Sequence, residues 1–520
     1  MSRKASRVIK NTGYLYVRMG ITMFISLYTT RLILNALGVT DFGIYGIVGS
    51  AIAMLSFISS SMAQSTQRFM SFAEGEQNED NIIKVFSNSV LLHVGVAIGV
   101  VVLLEIAGYF FFSYVLDIPD QRLYAAKFIY QCSIFATFIS ILGVPFDAML
   151  NAHENMLYYS VLGVMESILK LGAAFWVLYA ATDKLCLYGL LMAAVTVIVT
   201  LLTLSYCRCH YQESRTFSFR NKDNHLIKKM GAFAWWNGTS MASWLLFHQG
   251  NGVILNHFHG TLYNAAHSVT YQLSGQLGAF GNTAIRALNP VIIKDAGARR
   301  YQEMYRATYL GDRISFFLIS LCNLPVLVNL QPLLKWWLKE VPVYTEVFIY
   351  LYFAAVLLES TSMCLPIAIR GVGDIKGYQL SCSLFNIVSP VIIILLFIAH
   401  YPPYTIYAVM IVSSFFKLCS RVYYAGKVCR FPLGELVVND VMRSISPFIT
   451  CLLISLLFRY IIGGQGWMGV VANMIIDVAF YSCFFYYIGL TKEDRVYVSN
   501  LAKDFSLKLL DNGVIRKYEN

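Results

Sequence analysis

The sequence has few charged residues for its length, and this shortage excludes most soluble proteins. Of its 520 residues, 13% are Asp, Glu, Lys or Arg and 57% are hydrophobic, and the mean hydropathy is +0.59. Soluble domains carry about 25% charged residues. Too few charges remain to cover the several soluble domains that a chain of this length would form. The composition excludes an ordinary cytosolic enzyme, a disordered protein and a secreted disulfide scaffold, and it indicates a polytopic helical membrane protein.

Motifs for catalysis, metal binding and nucleotide hydrolysis are also missing. The 11 cysteines are scattered, and the closest pair, Cys207 and Cys209, has no second pair at metal-ligand spacing. The glycine-rich segment at 371–374 lacks the strand–turn–helix context of a nucleotide loop, and no P-loop lysine pattern is present. We therefore expect no cofactor, no metal, no catalytic residues and no ATPase activity, so that the chain is predicted not to be an enzyme.

Apolar runs long enough to cross a bilayer, about 20 residues each, recur along the chain. Between them the connections are short and leave no room for a large extramembrane domain. The sequence predicts an all-α protein with about fourteen transmembrane helices. The predicted spans are 12–37, 43–72, 85–115, 124–150, 156–181, 185–207, 229–257, 262–292, 307–330, 344–369, 377–399, 403–425, 441–463 and 466–490.

The basic residues are distributed unevenly between alternate connections. The formal net charge is +11, from 40 Lys and Arg against 29 Asp and Glu. Most basic residues fall in connections on the same side as the N-terminus, and few fall on the other side. By the positive-inside rule this asymmetry predicts that both termini are cytosolic, and it explains the net charge without any binding of nucleic acid. The few basic residues on the predicted outer side are Arg122, Lys127, Lys184, Lys335, Lys339 and Arg459.

A weak internal repeat with an offset of 222 residues predicts the domain organisation. The tetrapeptide at 37–40 (LGVT) aligns with that at 259–262 (HGTL), and each unit then holds six spans. An even number of spans inserts both units the same way up, as in transporters built from two parallel lobes around a cleft. The predicted segments are an N-terminal six-helix lobe (1–215), a C-terminal six-helix lobe (216–430), two additional transmembrane helices (431–490) and a cytosolic tail (491–520).

Helical periodicity collects polar residues on single faces of three spans. Such faces are costly against lipid, so we expect them to line a water-filled cavity, although hydrogen bonds between helices would also account for them. Two arginines in a cavity would attract an anion, and the guanidinium fork suits phosphate oxygens. The candidate substrate-binding residues are Arg18 on span one, Gln64 and Arg68 on span two, and Gln272, Asn282 and Arg286 on span eight.

Three further ionisable residues lie within predicted spans and are candidates for coupling transport to a cation. Glu166 and Lys170 are spaced i,i+4 in the favourable order, so that a structural ion pair explains them equally well. Glu359 lies within span ten, and it either carries a coupling proton or cation or pairs with a basic residue from another helix.

Several segments of this sequence resemble those of a known transporter family. They are residues 37–45 (LGVTDFGIY), 67–69 (QRF), 152–156 (AHENM) followed by Glu166 and Lys170, and 288–290 (LNP). The chain resembles the polysaccharide-transporter branch, with its O-antigen (Wzx-type) flippases, of the multidrug/oligosaccharidyl-lipid/polysaccharide exporter (MOP) superfamily. These segments look like those of the Bacteroides-type members, and the resemblance extends over essentially the whole chain.

The resemblance implies a MATE-like fold and a function in surface polysaccharide assembly. A member of this branch would move an undecaprenyl-diphosphate-linked oligosaccharide across the bacterial inner membrane by alternating access. That step would serve O-antigen, capsule or exopolysaccharide assembly, alongside the polysaccharide polymerase machinery. Because the sequence has no ATP site, we expect an ion gradient or the membrane potential to drive transport.

Three other functions stay open at the level of the sequence. A drug or small-cation antiporter of the same fold would favour carboxylates in the cavity, whereas the predicted lining here is cationic. A lipid II flippase would share the fold and the type of lipid carrier. A membrane glycan polymerase, ligase or acyltransferase would need a catalytic constellation, often on a sizeable outer loop, and the loops here are short.

Overall fold

The computed structural model is helical throughout the residues it describes, which are 3–53, 55–115, 120–216, 218, 222–338, 341–462, 466–492 and 494–495. The tail predicted for 491–520 lies outside this description from residue 496 onward. Eighteen α-helices and three short π-helical segments are found in these ranges. The first half contains α1 (Arg3–Ala53), α2 (Ser56–Glu76), α3 (Glu79–Phe110), α4 (Asp120–Ala152), α5 (Met156–Tyr179), α6 (Lys184–His210), α7 (Gln212–Arg215), α8 (Asn224–His259) and α9 (Thr261–Gly297).

The second half begins with long helices and continues with several short ones. Its π-helical segments are Val437–Met442 and Phe485–Gly489, and the first half has one at Phe111–Val115. Its helices are α10 (Tyr301–Val328), α11 (Leu330–Trp337), α12 (Thr345–Ser360), α13 (Leu365–Val372), α14 (Lys376–Ile398), α15 (Thr405–Cys429), α16 (Leu433–Leu436), α17 (Arg443–Ile462) and α18 (Trp467–Phe484).

The structure confirms the all-α polytopic class but not the count of fourteen spans. Within the described ranges, nine helices are long and apolar enough to cross a membrane, and the bent pair α12 and α13 makes a tenth candidate. The predicted spans at 43–72, 229–257, 262–292 and 441–463 correspond to α2, α8, α9 and α17, which are also long. These four helices do not meet the same test of length and apolarity.

The chain forms two compact units, and each has its own core. The N-terminal unit comprises Asn11–Ala242 with Ile293–Arg300, and the C-terminal unit comprises Met1–Lys10, Ser243–Ile292 and Tyr301–Asn520. In the N-terminal unit α4 packs against α2, α3 and α6. In the C-terminal unit α15 packs against α12 and α14, and α10 packs against α17 and α18. The lobe boundaries at 215 and 430 stay predictions.

The two glycines aligned by the internal repeat both have a positive φ angle. Gly38 has φ 76° and interrupts α1, whereas Gly260 has φ 89° and separates α8 from α9. Left-handed backbone costs a residue with a Cβ roughly 1–2 kcal/mol, which glycine avoids. Equivalent positions in the two halves therefore use glycine for the same local break, as expected if they derive from one repeated element.

The predicted tenth span is broken rather than continuous. Helix α12 ends at Ser360, α13 starts at Leu365, and the two are bent by 41°. Pro366 lies in the first turn of α13, where its missing N–H costs nothing, and it disfavours helical backbone at the residue before it. Asp312 of α10 accepts a hydrogen bond from the Cys364 N–H, so the N-terminal end of α13 is satisfied.

Candidate functional site

Arg18 lies on α1 and packs against α5 in the N-terminal unit. Its guanidinium carbon lies 4.4 Å from the centre of the Tyr159 ring, a cation–π geometry. The same guanidinium rests on Gly163, where a Cβ atom would overlap it. Arg18 is half-exposed. Because Gly163 has no side chain, there is room for the Arg18 guanidinium to pack against the Tyr159 ring.

Three polar residues of α9 lie exposed on one face of the helix in the C-terminal unit. Gln272, Asn282 and Arg286 fall within an arc of about 80° at 100° per residue, and all three are exposed. Fourteen residues separate the first from the last, so the stripe is about 21 Å long. An exposed row of amide and guanidinium groups on a membrane-length helix is costly in hydrocarbon and favourable in an aqueous cavity.

The predicted stripe on α2 makes contacts that pack helices together, and its role in lining a cavity stays a prediction. The Ser61 hydroxyl donates to the Ala234 carbonyl of α8. Gln64 Oε1 accepts from Asn237 Nδ2 at 3.3 Å. Arg68 is buried, and its guanidinium carbon lies 4.5 Å and 4.7 Å from the centres of two phenylalanine rings of α2. Hydrogen bonding between helices, the other explanation of the stripe, accounts for Ser61 and Gln64.

Glu166 and Lys170 form the ion pair that their spacing predicts. Lys170 Nζ lies 2.6 Å from Glu166 Oε1, and each side chain is a little over a third exposed. Glu166 also lines a pocket of about 420 Å³ within the N-terminal unit, together with Asp147 and a set of serine and threonine hydroxyls. The two carboxylates of this pocket are the kind of group that binds cations.

Glu359 pairs with a basic residue of another helix, one of the two possibilities that the sequence leaves open. Its Oε1 accepts hydrogen bonds from Lys417 Nζ at 3.3 Å and from the Ser414 hydroxyl at 3.1 Å, both on α15. Arg421, one turn further along α15, donates to the main-chain carbonyl of Glu359 at 2.8 Å and to Ser362 at 3.1 Å. Two cations therefore hold the carboxylate and the end of α12 at the break.

A charged network outside the membrane spans of the N-terminal unit was not predicted from the sequence. His153, in the turn between α4 and α5, lies with Nε2 2.5 Å from Glu213 and with Nδ1 3.3 Å from Glu74. Lys294 Nζ lies 3.0 Å from Glu154 and 3.8 Å from Glu74. These residues come from separate segments of the chain, and only the fold brings them together.

The network sets the protonation state of its histidine. Burial alone would lower the pKa of His153, but hydrogen bonds to Glu213 and Glu74 and their negative charges raise this pKa to about 9. Burial acts to raise the pKa of Glu74, and the hydrogen bonds and charges of His153 and Lys294 outweigh it and lower that pKa. The histidine is therefore a cation at neutral pH. Asn155 of the same turn caps α5, since its side chain accepts from the Tyr158 N–H.

Within the described ranges, no group of three or more His, Cys, Asp or Glu side chains is arranged to hold a metal ion. Among the described residues, the hydrogen bonds show no nucleophile–base pair that includes Arg18 or the exposed residues of α9. What the arrangement offers is a set of polar and cationic groups on membrane-length helices, which suits binding more than bond chemistry.

Comparison with solved structures identifies the fold. The chain is similar to the crystal structure of MATE in complex with MaD3S, at 12% identity and a TM-score of 0.69 over 83% of this chain and 97% of that one. It is also similar to an outward-facing multidrug resistance MATE family transporter of the MOP superfamily, at 12% identity and a TM-score of 0.68 over 84% and 99% of the two chains. At this identity the likeness shows the MATE-like fold.

A third similar structure is a MOP superfamily transporter from Pyrococcus furiosus, described as having a binding pocket of reverse polarity. It shares 12% identity and a TM-score of 0.68, over 83% of this chain and 96% of that one.

No curated protein sequence matched the chain. Residues 8–294, more than half of the sequence, match the family model described as polysaccharide biosynthesis protein. The chain therefore belongs to the polysaccharide biosynthesis protein family and has a MATE-like fold.

Proposed function

We propose that this protein is a flippase that moves an undecaprenyl-diphosphate-linked oligosaccharide across the bacterial inner membrane for surface polysaccharide assembly. The observation that carries the proposal is the exposed α9 stripe, Gln272, Asn282 and Arg286. Its amides can hydrogen-bond sugar hydroxyls, and its guanidinium can bind a phosphate oxygen pair. Arg18 adds a second cation on a membrane-length helix. Membership of the polysaccharide biosynthesis family supports a glycan substrate.

Transport would proceed by alternating access with both termini cytosolic, as the distribution of basic residues predicts. The driving force would be an ion gradient or the membrane potential. In this proposal the Glu166–Lys170 pair, next to the acidic pocket, is the candidate for coupling, whereas Glu359 is held by Lys417 and Arg421 of α15. Polysaccharide polymerase machinery would take the product on the outer face of the membrane.

The experiment is reconstitution in liposomes with a polyprenyl-diphosphate-linked oligosaccharide, followed by access of an external lectin to the sugar over time. Protein-dependent exposure of chemically unchanged sugar is expected. Arg18→Ala and Arg286→Ala should each slow it at least tenfold, because each removes a cation that would bind the diphosphate. Unchanged rates in both variants would contradict the role of the two arginines, and a covalently altered product would favour a glycan polymerase or transferase.

A drug or small-cation antiporter is the second candidate, and one feature favours it. The pocket of about 420 Å³ in the N-terminal unit carries the carboxylates of Asp147 and Glu166, as a site for a cationic substrate would. Efflux of a fluorescent organic cation from the same liposomes tests this function directly. Efflux lost in Glu166→Gln, without any exposure of lipid-linked sugar, would replace the flippase by the antiporter.

A further inference from the structure

The Glu359 side chain is partly exposed, whereas Lys417, the cation that pairs with it, is buried. Its side chain is 34% exposed, whereas that of Lys417 is 7% exposed. The hydrogen bonds that the Glu359 carboxylate accepts from the described residues reach Oε1 and not Oε2. Oε2 is thus an unused acceptor on a partly exposed carboxylate whose charge is already compensated.

The chemistry of this carboxylate selects the class of ligand. A phosphate would meet a negatively charged group first, and repulsion disfavours it. A metal ion or an organic cation would have to compete with Lys417 and Arg421, which already neutralise the charge of the carboxylate. A neutral molecule that donates hydrogen bonds remains, because a hydrogen bond to an ionised acceptor is stronger than one to a neutral acceptor. Sugar hydroxyls are such donors.

A chain of aromatic rings leads from the helix that carries Glu359 to an exposed indole. Tyr352 lies seven residues before Glu359 on α12, on the same helical face, and its ring stacks on Tyr271 of α9 with 4.7 Å between centroids. His248 meets Tyr271 edge to face at 5.5 Å, and Trp244 lies over His248 at 4.3 Å. These packed contacts hold the indole of Trp244 in place, although half of its surface is exposed.

The aromatic chain and the charged group belong to one local site within the C-terminal unit. Phe247, between Trp244 and His248 in the α8 sequence, has its ring 4.9 Å from Lys417 Nζ. A fixed indole face and an ionised acceptor in the same unit offer the two contacts that a pyranose ring can make, one through its apolar C–H face and one through its hydroxyls.

We propose that Trp244 and Glu359 form a sugar-binding subsite of the C-terminal unit, in which the indole packs against a pyranose ring and the carboxylate accepts its hydroxyls. Lys417 and Arg421 are positioning residues that keep Glu359 ionised and oriented. The subsite deepens the proposed flippase function and rests on it. It separates recognition of the sugar from recognition of the diphosphate, which falls to the exposed arginines.

The test compares two lipids that differ only in the sugar, undecaprenyl diphosphate and undecaprenyl-diphosphate N-acetylglucosamine, binding to the full-length protein in nanodiscs. Wild type should bind the glycosylated lipid about tenfold more tightly. Trp244→Leu should reduce this preference to less than twofold and leave the affinity for the bare lipid unchanged. Trp235→Leu is the matched control, since Trp235 is also exposed on α8 but belongs to the N-terminal unit.

The carboxylate is tested by the double variant Glu359→Gln/Lys417→Met, because removing Glu359 alone would leave a buried ammonium group unpaired. It too should lose the preference for the sugar at normal expression. Equal binding of both lipids by wild type, or a preference retained in Trp244→Leu, overturns the subsite and leaves the flippase intact. Failure of wild type to bind either lipid overturns the proposed function and the subsite with it.

Discussion

At the scale of single residues, the position of Arg18 depends on a neighbour with no side chain. The guanidinium lies where the Cβ of any other residue at position 163 would be, and it also contacts the ring of Tyr159, one turn earlier on α5. A charged group inside a membrane protein has to be oriented by its surroundings if it is to bind a ligand rather than the nearest carbonyl. Gly163 can therefore be changed to move Arg18 without removing its charge.

Gly163→Ala should lower transport of the lipid-linked oligosaccharide about threefold to tenfold and leave folding intact. The guanidinium is the end of a flexible side chain and can move aside, and alanine favours the helix by about 1 kcal/mol over glycine. The measurement is the rate of lectin access in liposomes, with apparent Tm as the check on folding. Gly172→Ala on the same helix is the matched control, because a Cβ there meets nothing within 4 Å. Normal transport in Gly163→Ala would argue against a role for the position of Arg18.

At the scale of helices, both halves of the chain depend on a glycine that breaks the helix at the same point of the repeat. Gly260→Ala should destabilise the protein by roughly 1–2 kcal/mol, the cost of forcing a residue with a Cβ into left-handed backbone. The expected observation is a lower apparent Tm in detergent. Gly275→Ala, in the helical part of α9 with open space at its Cβ, should instead be neutral or slightly stabilising. Equal effects of the two substitutions would contradict this explanation.

The sequence predicts some of these features well and others not at all, for physical reasons. Composition and apolar runs predict the helical membrane class, because the bilayer requires long apolar helices. The i,i+4 spacing predicts the Glu166–Lys170 pair, because both residues lie on one helix. The pairing of Glu359 with Lys417 and the charged network around His153 depend on contacts between distant segments, which periodicity on one helix cannot show.

The same limit applies to the polar stripe of α2, for which the sequence leaves both a cavity lining and helix packing open. Helical phase places Ser61, Gln64 and Arg68 on one side, but it does not say what that side contacts. In the structure Ser61 and Gln64 bond to α8, and Arg68 is buried. The stripe of α9 has the same appearance in the sequence and is exposed. How each helix packs in the fold decides which of two similar stripes is available to a ligand.

At the scale of the whole molecule, the charge of the proposed substrate predicts how transport responds to membrane potential. A diphosphate diester carries two negative charges, and each charge gains about 2.3 kcal/mol when it crosses 100 mV in the favourable direction. An inside-negative potential therefore favours outward movement of the lipid-linked sugar if no cation travels in the opposite direction. If one does, the net charge that crosses the membrane is larger still, and a gradient of that cation adds to the driving force.

We expect an inside-negative potassium diffusion potential, set with valinomycin, to increase outward exposure of the sugar severalfold in liposomes with the same pH on both sides. Glu166→Gln should keep this response, because the potential acts on the substrate, and should lose any additional effect of a pH gradient if Glu166 couples transport to protons. The control uses equal potassium on both sides, where valinomycin should change nothing. Transport that follows the pH gradient and ignores the potential would mean that the charge of the substrate is neutralised during crossing, and the exposed arginines would then need to move with it.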